Sequence, residues 1–152
     1  MNVLTHHLLE SANYRFQKVV EEADASFSSF SLGHDTRSAL EIINHLVNVL
    51  ANADAILRET DRVEWHTYNW EQGKQQFKFV IQGLQDFLDQ NEVEEGMMEL
   101  MIHGPLSDVF GHIGQLAMMR RVSGKPMNRV NYMKAPVGLR NPAEIKARRV
   151  SG

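Results

Sequence analysis

Residues 104–126, GPLSDVFGHIGQLAMMRRVSGKP, decide how this chain is read. The stretch opens on Gly104-Pro105, where proline fits a first helical turn, runs almost wholly apolar, and stops at Ser123-Gly124 before Pro126. Arg120 and Arg121 stand near its end, where cations complement the helix dipole. Inside it, four residues apart and so on one face, sit Asp108 and His112. A carboxylate and an imidazole are costly to bury without partners, so the rest of the chain must supply a partner or leave the pair on the surface.

Working outward, helical spacing recurs throughout. Leu4, Leu8, Ala12, Phe16, Val19 and Ala23 predict a first helix over about residues 3–23. SFSSFSLGHD is a loop ending in the capping candidates Asp35 and Thr36. A second helix is expected over about residues 37–59, with Ala39, Ile42, Leu46, Val49, Ala53 and Ile56 as its core stripe. After a connection holding Trp65, His66 and Tyr68, a third spans about residues 70–90, with Phe77, Ile81, Leu84 and Leu88 inward. Residues 92–102 predict a short helix, broken from the last long one by Gly104 and Pro105. No strand pattern appears. Four long one-faced helices are most economically buried as an all-α antiparallel four-helix bundle, one domain over residues 1–152.

Composition agrees with this. With 43% apolar and 23% charged residues and no apolar run near the roughly 20 residues of a membrane span, a soluble protein with no membrane partner is expected. The N-terminus lacks the pattern of a secretory signal. The absence of cysteine removes disulfides, thiolate ligands and a cysteine nucleophile, and fits a cytoplasmic location. Residues 125–152 hold seven Lys or Arg against one Glu, although the whole chain has a net charge of -3. Val130, Tyr132, Met133, Val137 and Leu139 are interleaved with those charges, which predicts a basic tail packed on an acidic body rather than one that binds nucleic acid.

Two helices carry a polar line beside the apolar face: Glu41, His45, Asn48 and Asn52 on the second, Asp108, His112, Gln115 and Met119 on the last. Such lines can converge inside a bundle. His45, Asp108 and His112 would then offer two imidazoles and a carboxylate, a set that holds a divalent metal (Zn, Ni, Mn or Fe) facially and leaves positions open. Taken singly, each has a plainer account as a hydrogen-bonded or solvated side chain. Gly111 and Gly114 flank His112, serving either close helix approach or a pocket floor. His103 is the further histidine nearest the expected pocket, and the methionines, four of them at 97, 98, 118 and 119, read as gap-filling core.

The Gly-Pro opening, the HxGQ element of His112, Gly114 and Gln115, the Arg120-Arg121 pair, Gly124 and Pro126, and the following Asn131–Ala135 together resemble the last helix of the DinB/YfiT-like superfamily of four-helix-bundle proteins. TRSALEIINHLVNVLANAD resembles that family's second helix. The resemblance implies a divalent metal held by one histidine of the second helix, matched by His45, and an HxxxH pair on the last, of which only His112 matches. Asp108 stands where the first histidine of the pair would be, which either keeps a site of altered metal preference or marks a branch that binds metal weakly or not at all. It further implies homodimerisation and, in some members, transfer of a low-molecular-weight thiol to an electrophile.

Three functional classes follow as expectations. The first is a metal-dependent enzyme, a thiol transferase or hydrolase of a small substrate, with His45, Asp108 and His112 as ligands, Asn48 and Gln115 orienting water or substrate, and Glu41 as a nearby base. The second is a non-catalytic ligand-binding or stress-response bundle whose polar stripe is a hydrogen-bond network. The third, a protein acting on nucleic acid, is disfavoured by the acidic body.

Overall fold

The computed structural model describes residues 3–137. The described chain is helical without a strand: α1 Val3–Val20, α2 Ala39–Arg58, α3 Trp70–Gln90, α4 Glu95–Met101 and α5 Ser107–Val122, with short 3-10 turns at Ala25–Ser29 and Tyr132–Lys134. The four long helices share one core. Both α1 and α2 pack against α3 and against α5.

The core is built from the apolar face of each helix. Leu9, Phe16 and Val19 of α1 meet Ile43, Leu46 and Leu50 of α2, Phe77, Ile81 and Leu88 of α3 and Val109, Ile113 and Leu116 of α5. Phe16 stacks on Phe77 with ring centroids 3.7 Å apart. Because α2 touches a helix on either side, its buried face is wide and includes Ile43, Val47 and Leu50 beyond the single expected stripe. Ile56 at the end of that stripe is exposed, and so is Leu4 of α1. Alone among the described helices, α2 is long and apolar enough to cross a membrane, contrary to the expectation that none would be. Its buried apolar residues lie on the side that packs against α3 and α5.

Local chemistry sets the helix ends. α2 starts one cap later than expected: Ser38, rather than Asp35 or Thr36, closes a capping box in which Glu41 N–H donates to Ser38 Oγ at 3.2 Å and Ser38 N–H donates to Glu41 Oε2 at 2.6 Å. Asp35 and His34 instead adopt left-handed backbone after Gly33, a three-residue turn that points Arg37 back across the fold. α3 starts at Trp70 because Asn69 Oδ1 accepts from the backbone N–H of Gln72. Between α2 and α3 an extended loop is pinned to α2 by amide side chains. Asn48 accepts from Trp65 N–H at 2.8 Å and donates to Trp65 O at 2.9 Å, while Asn44 donates to Trp65 O and Thr67 Oγ1.

The expected break at Gly104-Pro105 is instead a continuous joint. Residues Ile102–Leu106 form a π-helical turn that links α4 to α5. Pro105 has no N–H to give the carbonyl four residues back and its ring crowds that carbonyl. The wider turn relieves both, with Ser107 N–H reaching Ile102 O and Ser107 Oγ donating to the same carbonyl at 2.6 Å.

The C-terminal segment as far as Val137 turns back on the body. Lys125 Nζ pairs with Asp24 at 2.9 Å, Met127 packs against the core, and Ala135 is buried. Arg15 lies over the Tyr132 ring at 3.8 Å. Residues 138–152 of the expected basic tail, with Leu139, lie outside the described residues.

Candidate metal centre

The contact of α2 with α5 brings the two polar lines together at one point. His45 Nε2 is 3.0 Å from Asp108 Oδ2, and His112 Nδ1 is 3.2 Å from Asp108 Oδ1. The two imidazole rings lie 4.5 Å apart between centroids. One ligand atom from each of His45, Asp108 and His112 falls within 4.8 Å of the others. His112 is the most enclosed, with its side chain 14% exposed, against 28% for His45 and 42% for Asp108. The cluster therefore opens to solvent on the Asp108 side.

The proton positions follow from the partners. His112 Nε2 is 3.3 Å from Arg37 Nη1, and a guanidinium only donates, so Nε2 presents its lone pair. The N–H is then on Nδ1, which donates to the backbone carbonyl of Asp108 at 2.9 Å. A metal-ligating histidine usually has this arrangement, the second ring nitrogen donating to a carbonyl or carboxylate and fixing the tautomer. His45 is held differently, through Nε2 on the Asp108 carboxylate.

The donor set suits a divalent ion. Two borderline imidazole nitrogens and one hard oxygen match Zn, Ni, Mn or Fe, and three protein ligands leave positions for water or substrate. An ion about 2.1 Å from each donor needs donors roughly 3–3.5 Å apart. His45 and Asp108 already meet that spacing at 3.0 Å, and the three donors all lie within 4.8 Å of one another.

Other residues expected at the site have different partners. The Glu41 carboxylate is taken by Ser38 N–H in the capping box, Asn48 spends its amide on Trp65, and Gln115 is exposed one turn beyond His112. His103 is exposed in the π-helical turn. Neither Gly111 nor Gly114 has a neighbour that a Cβ would meet, so close helix approach within the described chain is not their reason. Arg37, which sequence reasoning passed over, is the residue that joins the site. Its position in a loop, 75 residues from His112, carries no periodic signal.

Comparison of the chain with family models, with curated proteins and with solved structures finds no match.

Proposed function

We propose that this chain is a divalent-metal protein with the antiparallel four-helix arrangement of the DinB/YfiT-like superfamily, in which His45, Asp108 and His112 hold the ion. The observation that carries the reading is the convergence of those three donors, from two helices, to within 4.8 Å. The resemblance of the last helix to that family adds to it, as does the tautomer of His112. Asp108 replaces a histidine of the family pattern by a harder ligand, which favours Mn or Fe relative to an all-imidazole site.

A bound ion would supply Lewis acidity, lowering the pKa of a coordinated thiol or water. The residues of the chain itself position and shield. The Asp108 carbonyl holds the Nδ1–H of His112 and so leaves Nε2 as the nitrogen that offers a lone pair to an ion, and the exposed side of Asp108 leaves an approach for a small substrate. With no cysteine in the chain, any sulfur nucleophile is a soluble low-molecular-weight thiol. Thiol transfer to an electrophile is therefore the first reaction to assay, with hydrolysis second. The resemblance adds a second copy of the chain as partner, which light scattering at micromolar concentration tests.

A metal-free reading has its own observation. Asp108 already engages both imidazoles, His45 Nε2 through its carboxylate and His112 Nδ1 through its backbone carbonyl, as a closed hydrogen-bond network in a ligand-binding bundle would. Elemental analysis of protein purified without a metal-affinity tag separates the two. The metal reading expects about one divalent ion per chain, lost in His45→Ala and His112→Ala with helicity unchanged. No ion in the parent protein after incubation with Zn, Mn and Fe, or full retention in both variants, overturns it.

A further inference from the structure

Arg37 is an exposed cation whose described partner is a neutral imidazole nitrogen. Among the described residues it has no carboxylate partner. Glu41, one turn into α2, is held by Ser38 N–H, and Asp108 is held by the two histidines. The base of Arg37 is nevertheless fixed: the left-handed turn at Gly33–Asp35 precedes it and the capped Ser38 follows it. A long donor fork on a fixed base, reaching 3.3 Å from a candidate ligand atom, is placed rather than incidental.

His112 Nε2 has one lone pair. Arg37 and a metal ion cannot share it, so loading of the site sends the guanidinium off His112 while the capped Ser38 beside it keeps the side chain within reach of the cluster. The charges then do not balance. Two neutral imidazoles and one carboxylate leave a divalent ion with an excess positive charge, and Arg37 adds another. An anion bridging both relieves this, and the guanidinium fork matches an oxyanion in two-point geometry.

Resting on the metal reading above, we propose that Arg37 is the substrate-recognition residue of this centre, selecting small molecules that carry a carboxylate or phosphate group to be held between its guanidinium and the metal. It is a specificity residue that binds the non-reacting end of the substrate. The same contact makes it a competitor for His112 when no anion is present.

The test is a Co2+ titration followed by the visible absorption of the bound ion, with parent protein, Arg37→Gln and Arg37→Lys, each with and without acetate, and separately with methyl phosphate. In the parent protein either oxyanion tightens Co2+ binding, on the order of tenfold at saturation. In Arg37→Gln that enhancement disappears, and Co2+ in anion-free buffer binds more tightly than to the parent protein because the competing guanidinium is gone. Arg37→Lys keeps the charge without the fork and recovers only part of the enhancement. The larger of the acetate and methyl phosphate effects identifies the anion. Equal enhancement in parent and Arg37→Gln, with Co2+ bound in both, overturns the role of Arg37 and leaves the metal reading standing. Failure of both to bind Co2+ overturns the metal reading and this inference with it.

Discussion

Replacing Arg120 by methionine should cost about 3 kcal/mol of stability. Arg120 is 4% exposed and its guanidinium faces backbone carbonyls with no carboxylate among its described partners. Nη1 donates to Val19 O at 2.9 Å and Glu21 O at 2.8 Å, and Nε donates to Lys125 O at 3.1 Å. Those acceptors are the unpaired carbonyls at the end of α1 and the first residue of the returning segment, so one side chain ties together the ends of α1 and α5. Methionine retains most of the apolar stem and removes every donor. The Val19 carbonyl is then buried without its cap, costing about 1–3 kcal/mol, while the two part-buried carbonyls recover water and lose less. Relief from burying the guanidinium offsets part of the sum. For a chain of this size the loss corresponds to roughly 6–12 °C in Tm. The assay is urea denaturation followed by circular dichroism, with an unchanged slope as the sign that only stability moved. Arg121→Met, at an exposed neighbour, is the control and should stay within about 0.5 kcal/mol. A loss below about 1 kcal/mol for Arg120→Met would refute the capping argument.

Two further predictions concern the fold. At Gly73 a Cβ would meet Ile43 Cγ2 and Thr67 Cγ2 at 2.9 Å each, both on stiff β-branched side chains, so Gly73→Ala should destabilise by about 1–2 kcal/mol despite its better helix propensity. Gly83→Ala on the same helix, with open space, should stabilise by about 0.5–1 kcal/mol, and a matching gain at both positions in thermal melts would contradict the packing. Asp24 is held down to about 2 by its hydrogen bond from Ser26 and its pairing with Lys125. A carboxylate lowered in the folded state stabilises above its unfolded pKa of about 4 and loses that contribution as pH falls toward 2. Limited proteolysis of the segment that follows Lys125 should therefore quicken between pH 4 and 2 in the parent protein, and Lys125→Met should weaken that pH dependence, the Ser26 hydrogen bond remaining.

What could be read along the chain was what neighbouring residues decide among themselves. The 3.6-residue recurrence of apolar side chains needs no distant partner to be visible, so α3 falls on residues 70–90 as expected and α1, α2 and α5 within a few residues of their expected ends. The pairing of Asp108 with His112 is equally local, one turn on one helix. Tertiary structure decided everything that depends on which surfaces meet. The α2–α5 contact brought His45 to Asp108, while Glu41 and Asn48, on the same polar line of α2, went to a capping box and to the Trp65 loop. Their spacing distinguishes none of the three, because a helix periodicity records a direction outward and not what lies there. Arg37 and Arg120 show the same limit more sharply. Each reaches a partner 75 or more residues away, and the strength of a guanidinium contact depends on that partner's geometry, which no local pattern encodes.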